Sequence, residues 1–64
     1  MDLKSYLYET GLSLSEFARQ VESTPATIFR ISRGQVEPKL SLAVKIHDAT
    51  KRKVKFTDLL LERA

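Results

Sequence analysis

Apolar residues recur at helical spacing in two short stretches between Ser13 and Gly34. The first stretch begins at Ser13, whose S-x-x-E spacing to Glu16 is typical of a capping box, in which two reciprocal hydrogen bonds satisfy free amides at a helix start. The apolar face behind this cap consists of Leu14, Phe17, Ala18 and Val21. The repeat breaks at Glu22-Ser23, so the pattern predicts a helix that ends there.

A second helix is predicted directly after this break. Thr24 stands at the N-cap position and Pro25 at the first helical position, where the missing N–H of proline costs nothing. Ile28 and Ile31 form a narrow apolar stripe, and Gly34 is the expected C-terminal stop. The opposite arc carries Ala26, Phe29, Arg30 and Arg33. A small residue, an aromatic ring and two arginines on one arc suit a surface that enters a DNA major groove.

Three further helices are predicted around this pair. The first covers residues 2–9 and is ended by Gly11, and the next covers residues 39–49, after a loop that contains Pro38. In the predicted helix 39–49, the side chains expected to face the core are Leu40, Ala43, Val44 and Ile46 or His47. A last short helix is predicted from Thr57-Asp58. At least one of the leucines at 59–61 should be exposed, or covered by a second subunit, because three consecutive side chains cannot all face one small core.

The segment 53–57 allows two interpretations. Val54 and Phe56 alternate with polar residues, and a period of two fits a short strand. The same alternation fits an extended linker that packs two apolar side chains on the core. We favour an all-helical end, because a lone strand has no partner within the monomer. The overlapping basic run 51–55 is most simply a solvated turn, and nonspecific phosphate contact is the second possibility.

Composition narrows the class of protein. Sixty-four residues predict a single domain over 1–64, and 42% hydrophobic with 30% charged residues is typical of a globular chain. No cysteine is present, which excludes a disulfide framework and a cysteine zinc site and fits a reducing cytoplasm. His47 is the only histidine, so we expect no metal site. We also expect no membrane span and no signal peptide.

The net charge of +3 and the sequence pI of about 9.5 favour a polyanionic partner. The charge is unevenly distributed, with a net −1 over residues 1–32 and +4 over residues 33–64. Most of the positive charge therefore follows the predicted helix pair.

Residues 13–34 resemble the helix-turn-helix of the Cro and lambda-repressor-like family. The V-S-x-P-T-I-S-R-I-x-R-G run of that family is mirrored by residues 23–34, loosely at its start. The positions that carry the resemblance are Phe17, Ala18, Val21, Ile28, Ile31, Arg33 and Gly34. Two positions depart from the family: its turn glycine is Glu22 here, at a cost of roughly 1 kcal/mol for a left-handed conformation, and its next, apolar position is Ser23. Since the flanks also fit, the resemblance implies an all-α, compact five-helix domain. The alternative is an α+β Cro-type domain with a short C-terminal strand at 53–57.

The resemblance implies a sequence-specific, double-stranded-DNA-binding transcriptional regulator, a Cro-like phage or bacterial repressor that reads the major groove with residues 25–33. The predicted base contacts are Pro25, Ala26, Phe29 and Arg30. Arg30 can bind guanine through two hydrogen bonds, and Phe29 or Ala26 can pack on a thymine methyl group. The predicted phosphate contacts are Ser13, Ser15, Arg19, Thr24, Thr27, Arg33, Gln35, Lys39 and Ser41.

One such domain covers a half-site, so we expect a pseudo-palindromic operator and a weak homodimer, at least on DNA, joined through residues 54–61. The competing hypothesis is an antitoxin-like protein-interaction module, with Phe29 and the C-terminal leucines as its contact surface. An enzyme is a distant third, because no cluster of acid, base and nucleophile is present. Neither a cofactor nor a small-molecule substrate is expected.

Overall fold

The computed structural model describes residues 1–60, which fold into four α-helices and one 3-10 turn. The helices are α1 (Leu3–Thr10), α2 (Leu14–Gln20), α3 (Pro25–Ser32) and α4 (Leu40–Ala49), and the 3-10 turn covers Phe56–Leu59. Residues 1–60 contain no strand, so the all-α prediction is confirmed and the strand proposed for 53–57 is absent.

The first three helices begin at polar side chains that accept a backbone amide. Asp2 accepts from the amide of Ser5 at 2.8 Å. Ser13 and Glu16 form both bonds of the capping box, at 3.1 and 3.0 Å, as the sequence predicted. Thr24 accepts from the amide of Thr27 at 3.3 Å, one residue before Pro25. Local sequence therefore fixes where these helices start.

Residues with a positive φ lie at the ends of all four helices. They are Gly11, Glu22, Gly34, Lys51 and Arg52, with φ between 53° and 72°. The 6→1 backbone hydrogen bond of the Schellman motif closes α2, α3 and α4. In these bonds the amides of Ser23, Gln35 and Arg52 donate to the carbonyls of Ala18, Arg30 and His47, respectively. Glycine is favoured in this conformation, so Glu22, Lys51 and Arg52 hold a strained backbone.

The core is centred on the crossing of α2 and α3. Phe17 of α2 and Ile28 of α3 are completely buried, and Ala18 is the small residue at the crossing. The remaining core members are Leu3, Leu7, Val21, Ile31, Ala43, Ile46, Val54 and Leu59. The inward orientation predicted for Ile28 and Ile31 is confirmed, so the rest of α3 is free to face outward.

Two predicted core residues of α4 are exposed. Leu40 keeps 76% of its surface accessible, and Val44 is also exposed, whereas Ala43 and Ile46 are buried. The apolar residues of α4 spread around much of the helix, and the core covers only the stripe centred on Ile46. Leu40 also lies in the first turn, where α4 extends past the core.

The segment that follows α4 is held by the buried Thr50. Its hydroxyl donates to the carbonyl of His47 at 3.1 Å and accepts from the amide of Val54 at 3.2 Å. His47 donates through Nδ1 to the Val54 carbonyl, and its ring stacks on Phe56 at 4.4 Å. The linker interpretation therefore holds fully for the buried Val54 and in part for the half-covered Phe56.

The last predicted helix is shorter than expected. It is a single 3-10 turn that starts at Phe56, one residue before the predicted start. Leu59 is buried while Leu60 is 61% exposed, which confirms that the consecutive leucines do not all face the core. Leu61 lies outside the described residues.

We expect Glu22→Gly to stabilise the domain by about 0.5 kcal/mol. Glycine relieves roughly 1 kcal/mol of left-handed strain, while the exposed ion pair between Glu22 and Lys45, at 3.0 Å, is lost at a cost of about 0.5 kcal/mol. Urea unfolding measures the difference. Glu22→Ala is the control, because it removes the ion pair and keeps the strain. A glycine variant no more stable than the alanine variant would contradict this assignment.

Acid should destabilise the domain below about pH 4.5. A hydrogen bond from a backbone amide is the main cause that lowers the pKa of Asp2, Glu16 and Asp58 from ordinary values of 3.8 for aspartate and 4.5 for glutamate. A lowered folded-state pKa stabilises the protein above the unfolded pKa, and this stabilisation is lost as the pH falls through the folded value. Unfolding midpoints measured from pH 7 to pH 3 test it. A variant with Asp2→Asn, Glu16→Gln and Asp58→Asn keeps the capping acceptors and should show a flatter profile; an equally steep one would exclude these carboxylates.

Candidate nucleic-acid interface

The outward face of α3 is formed by the residues that the sequence predicted for base contact. Pro25, Ala26, Phe29 and Arg30 are all exposed, and Phe29 keeps 41% of its surface accessible. Burial of Ile28 and Ile31 on the other side fixes the rotation of the helix. At about 100° per residue, Ala26, Phe29 and Arg30 then lie within one arc. The structure therefore brings these side chains onto a single surface.

Phe29 and Arg33 interact on this surface. The guanidinium of Arg33 lies 5.2 Å from the centre of the Phe29 ring, a cation–π contact worth about 0.5–1 kcal/mol when exposed. The hydroxyl of Ser32 donates to the Phe29 carbonyl at 2.7 Å. Arg30, in contrast, takes part neither in the ion pair of Met1 with Asp58 nor in that of Lys45 with Glu22. Arg33 is thus already oriented by Phe29, and the Arg30 guanidinium is available to a ligand.

The hydroxyl groups at the start of α3 are linked to one another. Thr24 Oγ1 accepts from the Thr27 amide and donates to Thr27 Oγ1 at 2.9 Å. The hydroxyl hydrogen of Thr24 is therefore used within the protein, and that of Thr27 can point outward. Both residues were predicted to contact phosphate, and the structure makes Thr27 the better donor of the two.

The start of α2 carries a negative charge that the sequence reasoning did not weigh. The Glu16 carboxylate accepts from the backbone amide of Ser13 at 3.0 Å. Hydrogen bonding to this amide, and then to the Ser13 side chain, lowers the pKa of Glu16, so the carboxylate is ionised at neutral pH. This charge opposes a phosphate near Ser13 and Ser15. The capping-box pattern was the signal that could have shown it, because it requires an acceptor side chain at this helix start.

The remaining predicted phosphate contacts are on exposed positions of α2, of the loop and of α4: Arg19, Gln35, Lys39 and Ser41. Lys39 is the N-cap residue of α4, and its side chain makes no capping hydrogen bond. The amides of its first turn are therefore not satisfied by a cap and lie beside a lysine and a serine, the donor groups that phosphate oxygens accept from.

A helix-turn-helix family model matches residues 3–56. The chain belongs to the Cro/C1-type helix-turn-helix family. The match spans the four helices and reaches the first residue of the 3-10 turn, and it confirms the resemblance drawn from residues 13–34. Comparison with curated proteins and with solved structures found no match. Family membership indicates a DNA-binding transcription regulator.

A different surface of this Cro/C1-type domain is apolar. A groove of about 270 Å³ lies between the start of α4 and the 3-10 turn. Its lining residues are Pro38, Leu40, Ala43, Phe56, Leu59 and Leu60. Within residues 1–60 no group of three or more His, Cys, Asp or Glu residues could hold a metal ion, and no helix there is long and apolar enough to cross a membrane.

Proposed function

We propose that this chain is a single-domain, sequence-specific repressor of the Cro-like bacterial or phage type, which reads the major groove of double-stranded DNA with residues 25–33. The supporting observation is the rotation of α3: Ile28 and Ile31 are buried, so Phe29 and Arg30 face outward. In this proposal the protein acts in the cytoplasm of a bacterial or phage-infected cell, and it has no catalytic activity.

The chemistry of the α3 face defines which bases it can distinguish. Arg30 presents a planar pair of donors that matches the N7 and O6 acceptors of guanine. Phe29 and Ala26 offer apolar surface for a thymine methyl group, and Pro25 offers only shape. No glutamine or asparagine, the side chains that bind adenine through two hydrogen bonds, lies on this face. We therefore propose a half-site that contains guanine and thymine at the positions contacted by α3.

Phosphate contacts supply affinity and set the register of α3 on the duplex. The groups best placed for this role are the half-buried Thr27, whose hydroxyl accepts from Thr24 and keeps its own hydrogen, and the start of α4 with Lys39 and Ser41. Arg19, Arg33 and Gln35 are exposed and, with Thr24, complete the proposed set. Ser13 and Ser15 belong to it less strongly, because the Glu16 carboxylate lies at the same helix start.

A second copy of the chain is the proposed partner on DNA, because α3 has only eight residues and spans a half-site. Within the expected contact region 54–61, Val54 and Leu59 are buried in their own core and are not available. Leu60 and Phe56 remain, and the structure adds Leu40 at the other side of the groove. So small an apolar surface supports a weak dimer that forms mainly on a pseudo-palindromic operator.

The same groove is the observation that favours the competing hypothesis, an antitoxin-like module that binds another protein. The two functions differ in their response to salt. Apolar contact with a protein is insensitive to ionic strength, whereas binding to DNA weakens steeply as salt rises.

Selection of bound sequences from a random duplex pool, followed by titration with Arg30→Ala, tests the proposal. We expect the wild type to prefer a selected site, and Arg30→Ala to lose about 1–3 kcal/mol of that preference because the guanine contact is lost. Discrimination at one base pair should relax. Lys39→Ala should instead weaken binding to all sequences and reduce the salt slope by about one unit.

Lys4→Ala is the matched control, since it removes an exposed cation from α1, away from the proposed interface. The proposal fails if the wild type binds no selected sequence better than bulk DNA. Salt-insensitive capture of a single partner protein, without DNA affinity, would support the interaction module instead.

Leu40→Lys should abolish cooperative binding to a two-half-site operator. The substitution introduces a charge into an apolar groove on both copies, and burial of each leucine contributes about 1.5–3 kcal/mol. We expect at least a tenfold loss of cooperativity, measured by titration of one-site and two-site duplexes. Tyr8→Lys is the control, because Tyr8 is exposed on α1 and does not line the groove. Unchanged cooperativity in Leu40→Lys would exclude this groove as the dimer contact.

A further inference from the structure

The five residues of the bend that follows α4, residues 51–55, include four cations. They are Lys51, Arg52, Lys53 and Lys55, and all four are exposed. The bend is held in place, because the amide of Arg52 donates to the His47 carbonyl at 2.8 Å and that of Lys53 to the Thr50 carbonyl at 3.1 Å. Val54, the one uncharged residue of the run 51–55, is fully buried and anchors the run to the core. We name these four cations the α4-end cluster.

The backbone of the α4-end cluster is strained where two of its charges lie. Lys51 and Arg52 have φ values of 53° and 67°, in the left-handed region that glycine occupies without strain. The dipole of α4 favours a cation at Lys51, but this effect falls off beyond the last turn and explains Arg52 less well. At both positions a charged residue stands where a glycine would relieve the backbone strain. Such strain is often found at functional sites.

Nearby carboxylates do not cancel this charge. The acidic residues closest in sequence are Asp48 and Asp58. Asp58 is bonded to the amide of Lys55 at 2.9 Å and to the ammonium group of Met1 at 3.0 Å, so its charge is matched by the Met1 ammonium. The Asp58 carboxylate also interacts with the charge of Lys55, and two carboxylates against four cations leave the bend with a net positive charge.

The position of the α4-end cluster separates it from the proposed reading surface. Lys39 and Ser41 lie at the start of α4, and the cluster lies past its end. A ten-residue helix is about 15 Å long, so Lys51 and Arg52, directly past its end, cannot bind the phosphates that Lys39 and Ser41 would contact. We propose that the α4-end cluster is a second, sequence-independent binding face for the phosphate backbone of double-stranded DNA.

The chemistry of the cluster favours DNA over an acidic protein. Protein interfaces concentrate their binding energy in buried aromatic and apolar anchors and are poor in lysine. The cluster is rich in lysine, and its one apolar residue, Val54, points into the core. Lysines on a fixed bend suit a row of phosphates, where each neutralised phosphate releases condensed counterions.

Two double variants test the proposal with a non-operator duplex and fluorescence titration. Lys51→Gly/Arg52→Gly removes two charges and relieves the strain, so we expect a higher Tm together with weaker DNA binding, by about tenfold or more at 0.1 M salt, and a salt slope smaller by about two. Lys53→Gln/Lys55→Gln should show the same loss of affinity without the rise in Tm. The matched control is Lys4→Gln/Lys45→Gln, which removes two cations elsewhere and should leave the salt slope unchanged.

A capture assay distinguishes this proposal from the proposed function. The bridging of two duplexes rests on the proposed function, whereas binding of a single non-operator duplex does not. An immobilised selected operator that is loaded with the wild-type protein should retain a labelled non-operator duplex. The Lys51→Gly/Arg52→Gly variant should still bind the operator but should not retain the labelled duplex. If no operator can be selected but affinity for non-operator DNA still depends on the cluster, the proposed function fails and the second face stands. A raised Tm with unchanged DNA affinity and salt slope would overturn the second face. Cluster-dependent binding to poly-glutamate or to anionic lipid vesicles, without duplex binding, would also overturn it.

Discussion

The contact of Ile28 and Ile31 with the apolar face of α2 is the interaction on which the rest of this molecule depends. α3 is only eight residues long, so these two side chains fix its rotation about its own axis. Ala18 leaves room for the two helices to approach at their crossing, and Phe17 fills the space beside it. The orientation of every outward side chain of α3, including Arg30, follows from this contact.

Helices of seven to ten residues are not stable in isolation, so their ends matter as much as their packing. Side-chain caps fix the starts of α1, α2 and α3, and 6→1 backbone hydrogen bonds fix the ends of α2, α3 and α4. The left-handed residue after α1 and α3 is a glycine, Gly11 or Gly34. After α2 and α4 it is Glu22 or Lys51, whose backbone is strained in this conformation. The two kinds of ending produce the same fold, but the second places charged side chains at the turns.

α4 connects three surfaces of different chemistry. Its first turn, without a side-chain cap, lies beside Lys39 and offers donors to an anion, and Leu40 of the same turn lines the apolar groove. Its far end leads into the α4-end cluster, which Thr50 and Val54 hold against the core. The length of α4 separates the proposed second phosphate-binding face from the donors and the apolar groove at its first turn.

The amino-acid sequence by itself determined the helix starts, the break at Glu22-Ser23 and the outward face of α3, because caps, prolines and the spacing of apolar residues act within one or two turns. It also placed the left-handed strain at Glu22 correctly. The exposure of Leu40 and Val44 and the shortening of the last helix to a 3-10 turn were decided only by tertiary structure. These features depend on which neighbours cover a side chain or compete for a hydrogen bond, and the spacing of residues along one helix does not contain that information.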